Sequence, residues 1–299
     1  MKRHAYLIMA HDNLYTLEKI LQLLDCEKND IYIHCDKKMG DIDAFANKIH
    51  ESIGTKVEFI SKRTDIRWGG YTQTSVELDL LNAAVPGEYS YYHFISGTSI
   101  PIKPQKEIHR FFDEEAGGRL FFHINSSTAP VIQERVKAYY PLVSLKCFRK
   151  HKWLKAISLV MGKIQIALGV NRLRKSEFKA IYNGWSYFSI PHDFAVYCCS
   201  KQAVVEKTFR HTLASDEAWI HTLAVHSDFK DRTYGLNGKN APIDASKHFQ
   251  DWKRGKPYTF TKEDFDILMA DNGAFWARKF DDKKDREIID MIYQQVRSS

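Results

Sequence analysis

Apolar residues fall along the first 125 positions in two rhythms, short unbroken runs and ladders at helical spacing. Ala5–Ala10 is a run of strand character. Leu14, Leu17, Ile20, Leu21 and Leu24 follow at helical spacing, with Asp12 placed to cap their helix. Ile31–Cys35 is a second run, and Asp36-Lys37-Lys38 leads to a helix expected over 41–52. Val57–Ile60 predicts a third strand and Thr72–Val85 a third helix. Tyr91–Ile95 and Leu120–Ile124 read as strands on either side of a helix over 104–115, opened by Pro104. Strand and helix in alternation predict an α/β fold, a mostly parallel sheet with helices on both faces.

The rhythm changes after residue 125. Residues 126–182 read as helical and basic. A short strand is expected near Tyr187–Ile190, then helices, a loop-rich stretch from 230 to 260, and a last helix from about 283. No internal repeat or clear linker divides the chain, so one domain of 299 residues is expected, with 126–182 as an insertion-like segment.

Composition narrows the class. The chain has 44% hydrophobic and 27% charged residues, 15 Gly and 8 Pro, which excludes disordered and collagen-like chains. The apolar stretch near the N-terminus is too short for a secretory signal, and no run reaches the length of a membrane span. A cytoplasmic protein is expected. Its five cysteines show no CxxC pair or metal-type spacing and read as free thiols. A net charge of +7 suggests anionic company: phosphates, a membrane surface or nucleic acid.

In open α/β sheets ligands bind beyond the C-terminal strand ends. That gathers His11-Asp12, Asp36-Lys37-Lys38 and Ser96-Gly97-Thr98-Ser99 around one crevice. No GxGxxG follows the first strand and no P-loop occurs, which argues against dinucleotide dehydrogenases and P-loop enzymes. Asp36 could accept hydrogen bonds from a ribose or base edge, or simply cap a turn. Arg67-Trp68-Gly69-Gly70 offers an aromatic face and closely approachable backbone, or a plain turn.

Six segments in order carry a family resemblance. They are His34-Cys35-Asp36-Lys37-Lys38, Ile66-Arg67-Trp68-Gly69-Gly70, and Tyr91–Gly97 with Pro101-Ile102-Lys103-Pro104. Gly184–Ser189, Ser215-Asp216-Glu217 and Phe275–Asp281 complete the series. Together they resemble the core-2/I-branching N-acetylglucosaminyltransferase family, glycosyltransferase family 14, in its bacterial form. The resemblance implies a GT-A fold; within the one domain, 1–125 is read as the nucleotide-binding half, 126–182 as the basic helical segment and 183–299 as the acceptor and catalytic half. It also implies an inverting mechanism, a UDP-sugar donor, most readily UDP-GlcNAc with UDP-xylose open, and no divalent metal cofactor.

By the same resemblance Glu217 is the catalytic base, Asp36 the nucleotide carboxylate, Trp68 the uracil-facing aromatic and Lys279 one diphosphate cation. The second cation has no unique match. Arg254 and Lys256 compete for it, and Arg278 lies beside Lys279. Arg135 and Trp185 fall where the acceptor is expected. Ser99 stands where the family's loop carries an aspartate.

The chemistry of the residues agrees. Inverting transfer needs one carboxylate to take the acceptor proton, and cations to stabilise the departing diphosphate. A metal-dependent transferase would use an Asp-x-Asp pair. Asp41–Asp43 opens a predicted helix, and Asp264–Asp266 sits in an amphipathic one that buries Phe265 and Leu268. A metal-dependent enzyme, an inactive homologue and a basic surface-binding protein remain the alternatives. Glu217 and Asp216 could instead serve the first turn of a helix capped by Ser215.

No acidic residue occurs between Glu134 and Glu177, while Lys and Arg accumulate beside Trp153, Leu154, Ile157, Leu159, Val160, Ile164, Ile166 and Leu168. The stretch resembles an interfacial helix facing anionic lipid, or a core-packed helix with a wet basic face. A glycan or lipid-linked glycan acceptor and peripheral contact with the inner face of the membrane fit the first reading. The aromatics are not interleaved with the charge in any nucleic-acid motif, so no nucleic-acid partner is expected.

Overall fold

The computed structural model describes residues 2–125, 130–236, 245–255, 257–270 and 273–299. Its elements in order are β1 (His4–Ala10), α1 (Leu14–Leu24), β2 (Asn29–Cys35), α2 (Asp43–Ser52) and β3 (Lys56–Phe59). Next come α3 (Tyr71–Ala84), β4 (Tyr91–Ser96), β5 (Ile100–Pro101), α4 (Gln105–Arg110), β6 (Phe121–Ile124), α5 (Pro130–Lys137) and α6 (Lys152–Ala167). The chain continues through β7 (Gly184–Pro191), α7 (His192–Ser200), α8 (Gln202–Phe209), α9 (Trp219–Val225), β8 (His248–Gln250), α10 (Phe265–Met269), β9 (Trp276–Arg278) and α11 (Glu287–Arg297).

Six strands form one sheet in the order β3-β2-β1-β4-β7-β6. The first four run parallel, and β7 is antiparallel to both neighbours. The expected α/β class, mostly parallel with helices on both faces, is the observed one. Along β1 the pleat sends Ala5 and Leu7 into a core with Val76, Leu80, Phe194 and Trp219, under α3, α7 and α9. It sends Tyr6, Ile8 and Ala10 into the opposite core with Leu17, Leu21 and Ile289, under α1 and α11. Unbroken apolar runs form the central strands because both faces are covered.

The register fixes the crevice. Ala10 lies opposite Cys35, and the Asp36 amide donates to the Ala10 carbonyl at 2.8 Å. The Gly97 amide donates to Met9, and a Cβ there would lie 3.0 Å from that of Ala10, so only glycine lets the Ser96–Ser99 loop pass this close. His11, Asp36 and the 96–99 loop therefore share one rim.

Several local expectations are corrected. Asn13, in the left-handed region at φ 56°, occupies the cap position of α1; Asp12 lies one residue too early and makes no cap bond. A second sheet, β5-β9-β8, is not anticipated by the sequence, because strands of two or three residues leave no periodicity to read. α9 starts at Trp219, so Asp216 and Glu217 lie in the turn before it. The Ser215 hydroxyl that would have capped an earlier start bonds Thr74 at 2.8 Å instead.

α6 stands on a small core of its own, with Tyr140, Val143, Phe148, Leu154 and Leu213. Only Leu154, Ser158 and Gly162, four residues apart, are buried along it. Gly162 lets the Tyr140 ring come so close that a Cβ would sit 2.5 Å from its hydroxyl. Gln165 clamps the helix by exchanging hydrogen bonds with the Tyr139 backbone at 3.0 and 2.9 Å.

Candidate active site

The N-terminal part of α3 is docked along the segment that carries Glu217. Gln73 Nε2 donates to Asp216 Oδ2 at 3.3 Å, Thr74 meets Ser215, and the Trp219 indole donates to Glu77. Gln73 Oε1 also accepts from the Gly69 amide at 2.7 Å, while the Gly69 carbonyl accepts from Ala214 at 2.7 Å. The Trp68-Gly69-Gly70 turn and the Ser215-Asp216-Glu217 turn are thus held by one glutamine.

Two of the acids here are buried. Burial, then the neighbouring Asp216, drives the Glu77 carboxyl well above its usual range, against the indole hydrogen bond. Burial, then the charge of Glu217, pushes Asp216 up to about 7, opposed by the Ser186 hydroxyl that donates to it at 2.9 Å. Nothing in the sequence marks Glu77 as part of the site beyond its being a polar residue four positions after Gln73 on a largely buried helix.

Glu217 itself faces a cleft, its side chain 45% exposed. Arg135 of α5 places Nη1 3.3 Å from Glu217 Oε2. Burial raises the Glu217 pKa, and Arg135, followed by Lys155 of α6, opposes the rise. Ile132, Asn183, Leu213 and Ala214 line the recess between Arg135 and Glu217. The Glu217 carbonyl accepts from the Gly184 amide at 2.9 Å, where any Cβ would strike the His123 carbonyl. Trp185, the next residue, stacks on His123 at 4.5 Å and approaches the half-exposed Trp252. Arg135 and Glu217 are therefore brought into contact, while Trp185 follows the residue bonded to the Glu217 backbone and turns its ring to His123 and Trp252.

β7 continues from this cleft to the cationic strand. Ser186 holds Asp216, and Tyr187 lies under the Arg278 guanidinium, 4.7 Å from ring centre to Cζ. Tyr187, His248 and Trp276 form a continuous stack at 4.8 and 5.1 Å. β9 pairs Ala277 with Ile100 of β5, and the Phe280 amide donates to Thr98, so the 275–281 segment reaches the 96–99 loop. Arg278 Nε is buried and has no hydrogen-bond partner among the described residues. Burial lowers the His11 pKa; Asp12 opposes this, and Arg278 then reinforces it, which puts His11 and Arg278 on the same rim. Lys279 is half-buried beside it.

Arg254 is placed differently. It donates to Asp251 and Asp264, both at 2.6 Å, and stacks on Tyr258 at 4.1 Å. Its guanidinium is committed to two carboxylates. Lys256 lies outside the described residues.

Asp36 is buried and caps the turn Lys37–Met39, accepting from the Lys38 amide at 2.9 Å. Lys38 Nζ reaches Asp36 at 3.0 Å and the Ile66 carbonyl at 2.7 Å, so Asp36 is tied to the segment carrying Trp68. The Trp68 ring is half-exposed and lies under Arg149 and Lys155, at 5.9 and 5.7 Å. Ser99 Oγ bonds Ser96 Oγ at 2.9 Å, closing the loop where the family's aspartate would stand.

The Asp-x-Asp pairs have structural work. Asp41 Oδ1 accepts from the Asp43 amide at the start of α2, and Asp264 forms a capping box with Thr261 besides holding Arg254. Among the described residues, His4, His109 and Asp113 form the one group whose ligand atoms lie within 4.8 Å of one another. It sits at the opposite end of β1 from the crevice, about 20 Å away.

A model of the Core-2/I-branching enzyme family matches residues 4–270. No curated protein matches the chain. Among solved structures, mouse xyloside xylosyltransferase 1 in its apo form is 11% identical, covers 93% of this chain and 97% of its own, and has a TM-score of 0.38. S. aureus TarS is 16% identical at a TM-score of 0.30; the match covers 50% of this chain and only 26% of TarS. Aspergillus fumigatus core-mannan synthase A, solved with Mn and GDP, is 12% identical at 0.33, covering 76% of this chain and 70% of its own. With the family match running through nearly all of the strands and turns described above, the chain belongs to the Core-2/I-branching enzyme family, a family of glycosyltransferases.

Proposed function

We propose that the protein transfers N-acetylglucosamine from UDP to a hydroxyl of a glycan with inversion at the anomeric carbon. Glu217 takes the proton of the acceptor hydroxyl. The hydroxyl oxygen attacks the anomeric carbon on the face opposite UDP, and the electron pair of the breaking C–O bond leaves on the diphosphate. Arg278 and Lys279 meet that charge; Arg254, already paired twice, is the weaker candidate for this role. A cation at 4 Å contributes about 4 kcal/mol at an effective dielectric of 20, roughly a thousandfold in rate if realised only in the transition state. Trp68 and Asp36 hold the uridine. Arg135 and Trp185 orient the acceptor, and the exposed apolar helix beside the cleft fits an acceptor carried on a lipid.

The observation that carries this reading is the stretch Gly184–Tyr187. Its first residue holds the backbone of Glu217, and its last lies under Arg278. The span is about 10 Å of extended chain, a separation on the scale of one sugar ring with its bonds to base and diphosphate.

Thermal unfolding against a panel of nucleotides and UDP-sugars, with chelator and with Mn²⁺, tests it. UDP or UDP-GlcNAc at a hundred times its Kd should stabilise by about 2.7 kcal/mol, and the shift should survive chelator. A shift seen only with Mn²⁺ overturns the metal-free reading, and no shift with any nucleotide overturns the transferase.

A further inference from the structure

α6 carries two apolar stripes, and only one is packed. Leu154, Ser158 and Gly162 face the small core. On another side of the helix Trp153, Ile157, Val160, Ile164 and Leu168 repeat at intervals of three and four residues, a second continuous stripe about 22 Å long. These residues lie open to solvent: Trp153 is 58% exposed, Val160 56%, Ile164 54% and Leu168 78%. Scattered exposed apolar residues need no explanation, but a contiguous ridge of them marks an interaction surface.

The charge around the stripe selects the partner. Lys152 and Lys163 are exposed beside it, and Arg149 and Lys150 precede the helix. From Arg135 to Lys175 the chain has eleven Lys and Arg and no Asp or Glu. A ridge of one sign of charge is poorly complementary to a second copy of itself, since a symmetric contact would set like charges together. An anionic bilayer satisfies both features, taking the apolar stripe into its headgroup region and the lysines into its surface potential. Among the described residues no helix is long and apolar enough to cross a membrane, so contact of this kind lies along the surface.

The same helix walls the reaction cleft. Lys155, one turn into α6, lies over Trp68 and is close enough to Glu217 to hold down its pKa. We propose that α6 is an interfacial helix that lays the mouth of the Glu217 cleft on an anionic membrane, so that the acceptor sugar reaches Glu217 from a lipid anchor. The second half of this statement rests on the transferase reading; the first half does not.

The test uses the whole chain with phosphatidylcholine vesicles, with and without phosphatidylglycerol, and the variant Val160→Asp/Ile164→Asp, whose changes fall on solvent-exposed positions. Wild type should sediment with the phosphatidylglycerol vesicles, lose binding as salt rises, and lose about fivefold per lysine in Lys152→Gln and Lys163→Gln. The aspartate variant should stay in the supernatant while keeping its circular dichroism and its thermal shift with UDP. Absence of wild-type sedimentation, or equal sedimentation of the variant, overturns the interfacial helix. So does a wild-type dimer in light scattering that the variant converts to monomer. With radiolabelled UDP-GlcNAc and membranes, label should appear in the organic-extractable product; label confined to water-soluble glycan overturns the lipid anchor alone. A missing UDP shift with intact vesicle binding would sink the transferase reading and leave the helix standing.

Discussion

Arg135 sets its guanidinium 3.3 Å from the carboxylate of Glu217, the one positive group among the described residues bonded to an acid that burial otherwise pushes toward protonation. In the proposed mechanism this pair sets the pH at which Glu217 becomes a base. Arg135→Met removes the opposing charge, so the Glu217 pKa rises further above its ordinary value. The acid limb of kcat/KM should move to higher pH in the variant, with activity partly recovered at alkaline pH. An unmoved limb would show that another group controls that ionisation.

Glu217→Gln keeps the shape of the side chain and removes the proton acceptor. General-base catalysis is worth about 10² to 10⁴ in rate, and transfer should fall by that range. The thermal shift with UDP should persist, because the proposed diphosphate contacts come from Arg278 and Lys279 rather than from this turn. Transfer near the wild-type rate would remove Glu217 from the mechanism.

Lys279→Ala should lower kcat by up to about a thousandfold with a smaller change in donor KM, the signature of a contact strengthened in the transition state. Arg254→Ala behaves differently if Arg254 serves to hold Asp251 and Asp264. The melting temperature then drops, since Asp264 is buried and loses its partner, while kcat per folded enzyme holds. A larger kcat loss in the Arg254 variant than in the Lys279 variant would exchange their roles.

The central strands were legible because β1, β2 and β4 are buried on both faces, which leaves unbroken apolar runs such as Ile31–Cys35. The second sheet was not. β9 is three residues long and is built by pairing with β5 and β8, contacts remote in sequence that no local pattern records. Motif order singles out Glu217 and Lys279 as candidates, whereas the way β7 touches both their segments, through Gly184 to Glu217 and through Tyr187 to Arg278, is visible only in three dimensions. Gln73 and Glu77 had no signal beyond being polar on a buried helix. The sequence leaves Arg254 and Lys256 competing for the second cation and Arg278 beside Lys279; what separates Arg254 from Arg278 is the pair of carboxylates that the first has and the Nε of the second, which has no hydrogen-bond partner among the described residues.

Asp216 yields a stability prediction independent of any substrate. Its pKa rises from 3.8 unfolded to about 7 folded, chiefly through burial and then through the charge of Glu217. The folded state therefore holds a proton that the unfolded state releases. The cost of ionising it is absent below about pH 4, grows as pH rises, and is complete above about pH 7, on the order of 4 kcal/mol. Asp216→Asn is neutral throughout and still offers an oxygen to Ser186 and Gln73. The melting temperature of the variant minus that of wild type should climb from about pH 4 to about pH 7 in the variant's favour and level off above that. Taking the difference matters, because the buried histidines His4, His93, His221 and His248 have lowered pKa values and impose the opposite trend on both proteins. A difference that stays flat with pH would mean that Asp216 is ionised in the folded protein throughout, and that Gln73 and Ser186 carry its charge.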